Sequence, residues 1–190
     1  MKNMFRYSLL SFLCVTATAL WSSRAQTGPN DSNNSHGKGH HSVGLVKEVV
    51  DATRRFRDVA VATGELYEPF LGCVSGPEEG AMGIHYVNGN LVADGQLDAA
   101  QPEILVYEPQ KNGKLRLVAV EYIVIADAWH AANQNPPVLS GQVFHYSGSP
   151  NRYGLPPFYS LHAWAWKQNP HGMFVDWNPK VTCENYEPET

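Results

Sequence analysis

Three histidines and one glutamate sit inside runs that are otherwise apolar and aromatic. They are His85 in Gly-Ile-His-Tyr-Val, Glu121 in Leu-Val-Ala-Val-Glu-Tyr-Ile-Val, His145 in Gln-Val-Phe-His-Tyr and His162 in Tyr-Ser-Leu-His-Ala-Trp-Ala-Trp. Ionisable side chains in such surroundings must be paired, neutral or ligated, because an unpaired buried charge is prohibitively costly. Imidazole and carboxylate together commonly bind a divalent metal such as zinc or iron. A site of that kind with an open position suits hydrolysis or, with iron, oxygen chemistry. Glu121 is the candidate catalytic group as well as a candidate ligand. Buried alone, it has its pKa raised and suits a general acid; beside a cation it stays ionised. The bland alternatives are a glutamate held by Arg116 or Arg152, and strand histidines satisfied by neighbours such as Tyr86 or Tyr146. No His-x-His or His-Glu-x-x-His pattern adds weight to the metal reading. His130 and His171 fall in loops and are weaker candidates, placed to cover the mouth of a site.

These residues depend on strands to position them. Side chains alternate across a strand, so His162, Trp164 and Trp166 share one face of the run 158–166, and Leu161, Ala163 and Ala165 share the other. Runs 104–108 and 115–125 flank Asn112-Gly113 and form an antiparallel hairpin. A two-residue turn there places Ile104 opposite Glu121 and Glu108 opposite Leu117. The run 115–125 is apolar on both faces, which makes it a central strand. Runs 84–87 and 138–146 read as further strands, the first followed by Asn88-Gly89, a tight-turn pair. The stretch 147–157 is rich in breakers and reads as a loop. Upstream, Val46, Val49, Val50, Thr53, Phe56, Val59, Ala60 and Thr63 make one helical stripe. Gly64 stands at the C-terminal cap position of that helix, about 19 residues long. The fold class expected is α+β: one long N-terminal amphipathic helix packed on a curved antiparallel sheet of about five or six strands, closing toward a barrel.

Nucleophile and nucleotide signatures are absent: no Gly-x-Ser-x-Gly elbow, Walker loop or dinucleotide fingerprint occurs. Trp129, Trp164, Trp166 and Trp177, with Tyr153 and Tyr159, offer a surface that could stack on a sugar or another flat small-molecule ligand. A non-catalytic ligand-binding module is therefore the alternative to a metal centre. A structural envelope protein with a filled interior is the third reading.

Residues 1–25 have the form of a signal peptide. Lys2 and Arg6 precede an apolar stretch from Leu9 to Trp21, and Ser23-Arg24-Ala25 supplies small residues at the cleavage positions. The apolar stretch is short for a membrane span, which takes about 20 residues. Export to the periplasm or outside the cell follows. Without Lys2, Arg6 and Arg24 the 14 basic residues fall to 11 against 18 acidic ones, a net charge near −7. That balance argues against nucleic acid and anionic membrane surfaces as partners. Residues 26–43, with His36, His40 and His41, read as a flexible leader, and 44–190 as a single globular domain. Cys73 and Cys183 remain after export, and in an oxidising compartment an isolated pair reads as a disulfide.

The strings Gly-Ala-Met-Gly-Ile-His-Tyr-Val-Asn (80–88), Leu-Arg-Leu-Val-Ala-Val-Glu-Tyr (115–122) and Leu-His-Ala-Trp-Ala-Trp-Lys-Gln-Asn-Pro-His-Gly-Met-Phe-Val-Asp-Trp-Asn-Pro (161–179) resemble a family of exported bacterial proteins. The similarity covers about residues 45–183. It implies a bacterial exported domain and carries no activity with it.

Overall fold

The computed structural model describes residues 37–188; the segment 1–25 read as a signal peptide and the stretch read as a leader, as far as His36, lie outside the described residues. The predicted long helix is broken into three pieces: α1 (Gly37–Thr53), a 3₁₀ turn (Arg54–Arg57) and α2 (Val59–Gly64). Asp58 makes the break, because its side chain accepts a hydrogen bond from the Ala60 amide and starts a new helix. A 3₁₀ turn has 3.0 residues per turn instead of 3.6, so the apolar stripe changes phase. Leu45, Val49, Thr53, Phe56 and Ala62 are buried, while Ala60 and Thr63 of the expected stripe are exposed. At its start, α1 reaches back to Gly37 in the stretch read as leader. Once Leu45 and Val49 anchor the helix, each added residue costs little, since nucleation is the expensive step.

The sheet is a curled, six-stranded antiparallel half-barrel in the order β1-β2-β3-β4-β8-β7. Its strands are β1 (Tyr67–Gly76), β2 (Gly80–Asn88), β3 (Ile104–Pro109), β4 (Leu115–Ile125), β7 (His145–Ser147) and β8 (Phe158–Ala163). Ile104 does face Glu121, but not through a two-residue Asn112-Gly113 turn: Gln110 and Lys114 close a turn one residue longer, which sets Glu108 against Arg116 and not Leu117, and a bulge after Val106 restores the Ile104–Glu121 pairing. Asn88-Gly89 is not a hairpin turn. The Asn88 side chain accepts from the amides of Asn90 and Leu91 and caps α3 (Gly89–Asp94). The run 138–146 is likewise not one strand. Ser140 and Gly141 have φ of +48° and +79°, which suits a tight hairpin turn. They fold β5 (Val138–Leu139) onto β6 (Gln142–Val143), separate from the main sheet. A short helix α4 (Ala126–His130) follows β4.

Strands β3 and β4 are buried on both faces, which explains their lack of polar alternation. One face, with Leu105, Tyr107, Val120 and Tyr122, packs on the helices. The buried Tyr107 hydroxyl donates to the Phe56 carbonyl at 2.7 Å and ties the 3₁₀ turn to the sheet. The other face, with Ile104, Val106, Ala119 and Ile123, is covered by Trp164, Tyr153, Leu155 and Val181. Strand β8 ends at Ala163, so Trp166 leaves the face expected for it and donates to Thr53 on the helix side (3.0 Å).

Cys73 and Cys183 form a disulfide that joins β1 to the C-terminal segment across 110 residues. Closing a loop of that length stabilises by up to about 4.7 kcal/mol in the chain-entropy account. Alkylation of unreduced protein is expected to label neither thiol in a mass spectrum. Two labelled thiols would remove the bridge from the fold. Among the described residues no helix is long and apolar enough to cross a membrane.

Candidate metal centre

Antiparallel pairing of β4 with β8 sets Glu121 directly opposite His162, and directly opposed residues point to the same face. His85 comes from β2, with β3 lying between it and Glu121. The long imidazole and carboxylate side chains lean together across that strand. His85 Nε2 is 3.5 Å from Glu121 Oε2, and His162 Nδ1 is 3.5 Å from Glu121 Oε1. One ligand atom from each of the three residues lies within 4.8 Å of the others, and all three residues are buried. Neither nitrogen of His162 makes a hydrogen bond, although the residue is only 2% exposed. Orphaned buried nitrogens are costly. Separations of 3.5 Å are long for hydrogen bonds, yet ligand atoms placed tetrahedrally on bonds of about 2.1 Å stand roughly 3.4 Å apart. The donors are those zinc or iron takes, and each histidine stands near that separation from one of the two Glu121 oxygens.

Charge is distributed to match. Burial pushes the His85 pKa down to about 3, helped by the neighbouring His162, while a hydrogen bond to the Gly83 carbonyl opposes the shift. The nitrogen of His85 that faces Glu121 is Nε2. Burial raises the pKa of Glu121, with His162 pulling the other way. Burial lowers that of His162, but the carboxylates of Glu121 and Asp176 outweigh it and the net shift is upward. The imidazole of His162, 3.6 Å away, holds Asp176 below the usual carboxylate range despite its partial burial.

The His85 shift has a sign that can be measured. Its folded pKa lies below the unfolded value of 6.5, so its contribution is complete above pH 6.5 and is lost as pH falls toward 3. Metal-free protein should therefore lose roughly 2 to 3 kcal/mol more stability between pH 6 and pH 4 than its His85→Leu variant. Parallel pH profiles from urea melts would refute the neutral, buried imidazole.

His145, the fourth residue expected at the site, stands outside the cluster. Its side chain is 71% exposed, and its Nδ1 lies 3.8 Å from Asp176. The strand break at Ser140-Gly141 moves it to the sheet edge in β7. Asp176 itself is the residue that sequence reasoning missed: its Oδ1 is 3.6 Å from His162 Nδ1, which places a second carboxylate beside the cluster. It sits among Gly, Pro and Asn turn residues, where no strand or helix period marks a direction. His130 binds Asn133 and Tyr159 and is not at the site. Arg116 and Arg152 do not pair with Glu121 in any ion pair among the described residues; Arg152 lies over Trp177 and Tyr153 and donates to the Ser75 carbonyl. Glu108, the other acid on this face, is neutralised by Lys167 at 2.7 Å.

Beside the cluster lies a cavity of about 160 Å³. His85, Glu121 and Tyr153 are the polar side chains in its wall, and the rest of the lining is aliphatic or phenyl, with Met82. The expected Trp surface does not form it: Trp164 is buried in the core and Trp129 binds the Asn135 carbonyl. No protein-family model, curated protein or solved structure matches this chain.

Proposed function

We propose that this chain is an exported metal-binding domain in which His85, Glu121 and His162 hold one divalent ion, zinc or iron, beside an apolar ligand pocket. The observation that carries the reading is His162: fully enclosed, lacking a hydrogen bond on either nitrogen, and facing the carboxylate of Glu121. Three protein ligands leave coordination positions open, and His85 and Glu121 line the cavity from which a ligand would reach them. Asp176 flanks His162 and orients it. The disulfide supports folding in an oxidising compartment.

Elemental analysis tests this. Protein made without a His tag, with His36, His40 and His41 changed to glutamine to remove loose binding by the leader, should carry about one equivalent of zinc or iron. His162→Ala should lose that metal and lower the melting temperature in zinc, because metal binding and folding are linked. A parent protein that stays metal-free after incubation with zinc and with iron(II) would overturn the reading.

A further inference from the structure

We infer that His145 and Asp176 form the port through which a divalent cation reaches the buried cluster, taking the ion from solvent and passing it to His162. This rests on the metal reading above and adds the route by which that site is filled and emptied.

Strand register sets the donors in a row. His145 on β7 pairs with Ser160 on β8, and Ser160 and His162, two residues apart, share a face of that strand. Glu121 on β4 pairs with His162 and lies on the same face. Asp176 is brought to the row by Trp164, whose indole nitrogen donates to the Val175 carbonyl at 2.6 Å. His145 Nδ1 lies 3.8 Å from Asp176 Oδ2, Asp176 Oδ1 lies 3.6 Å from His162 Nδ1, and His162 Nδ1 lies 3.5 Å from Glu121 Oε1. Side-chain exposure falls along the same line, from 71% at His145 through 33% at Asp176 to 2% at His162. The row therefore runs from solvent to the centre.

Its spacing suits transfer. Two atoms that share one ion on bonds of about 2.1 Å stand roughly 3.4 Å apart, and each neighbouring pair in the row is close to that separation. Asp176 turns one oxygen to His145 and the other to His162, so it can bind the ion on one side before the other lets go. The competing route is the apolar cavity. Apart from His85, Glu121 and Tyr153 its wall is aliphatic or phenyl, with Met82. An ion crossing that wall sheds water before a donor replaces it, and an unpaired ion out of water is costly. Along the row a nitrogen or an oxygen takes the place of each water that leaves.

Zinc uptake and release should be timed by stopped flow in protein with His36, His40 and His41 changed to glutamine, release being driven by excess chelator. A group that touches the ion only in passage lowers the barrier from both sides. Its loss slows uptake and release by one factor and leaves the dissociation constant alone. His145→Ala should slow both rates roughly tenfold, a barrier rise of about 1.4 kcal/mol, with the zinc affinity and the metal-free melting temperature unchanged. His145→Phe, which keeps a ring at the sheet edge and removes both nitrogens, should behave in the same way. Leu71→Trp, at the exposed end of the cavity wall, should change neither rate. Unchanged rates in both His145 variants, or slowing by Leu71→Trp in their place, would overturn the port and leave the metal centre standing. Weaker affinity with unchanged uptake would make His145 a ligand of the centre and overturn the port equally. Failure of the parent to bind zinc would overturn the metal reading, and this inference with it.

Discussion

Glu121→Gln is expected to abolish zinc binding while leaving the metal-free protein no less stable than its parent. The two effects have one cause. Burial raises the Glu121 pKa above its unfolded value, so whatever the group contributes at low pH is lost as pH rises through the folded pKa. At neutral pH the carboxylate is therefore carried at a cost. Glutamine keeps the shape, removes the charge and relieves that cost. It also removes the anionic ligand, and with it the stabilisation a bound ion confers. For an ion at about 1,000 times its dissociation constant that stabilisation is roughly 4 kcal/mol, equivalent to a shift of about 8 to 16 °C in a domain of this size. Melting curves of parent and variant, with and without zinc, should show a large zinc-induced rise in the parent only. A metal-free variant that melts several degrees lower and still responds to zinc would make Glu121 a structural acceptor for the two histidines.

Gly83→Ala should strongly destabilise the fold beside the site. Gly83 has φ of +115°, and a Cβ there would lie 2.6 Å from the Tyr107 carbonyl oxygen on β3. Backbone cannot swing aside as a flexible side chain can, so strain and clash act together and cost roughly 3 kcal/mol or more. The total stability of a domain is only about 5 to 15 kcal/mol. The damage lies close to the centre, because Gly83 stands two residues before His85 on β2. Gly44→Ala is the control. That helix position has nothing within 4 Å and no left-handed backbone, so alanine should stabilise it by about 0.5 to 1 kcal/mol. Denaturant midpoints that move equally for the two variants would show that the β2–β3 contact yields.

Much of the site was legible in the sequence because strand pairing is a local problem wherever turns are short. Asn112-Gly113 marked the β3–β4 hairpin, while the place of Glu121 opposite Ile104 comes from a bulge after Val106 that offsets a turn one residue longer than expected. The apolar run of β4 made it central and Glu121 buried. The cluster of His85, Glu121 and His162 then needed only that β8 pair with β4. What failed were residues whose role depends on a partner distant in sequence or on one backbone angle. Asn88 has the chemistry of a turn and of a helix cap, and only the helix after it decides between them. Strand β1 shows no clean alternation, since it is an edge strand with Pro69, a bulge and a left-handed Leu71. The helix break at Asp58 depends on one side-chain hydrogen bond, which hydropathy does not register.

The order of strands also governs when the centre can exist. Its donors lie on β2, β4 and β8, with β8 far downstream of β2 in the chain yet seated beside β4. A growing chain that has reached Glu121 owns two of the three donors and no enclosure. Pairing over such sequence separations is slow, because chain closure must precede the contacts that reward it. If the cluster holds a metal as proposed, its capture is therefore a late event, following the docking of β8 and the covering of that face by Trp164. Preference among first-row ions follows availability as much as affinity. On the proposed reading of an exported metal-binding domain, the ion is accordingly chosen by the compartment in which the chain finishes folding, not by the one in which it is synthesised.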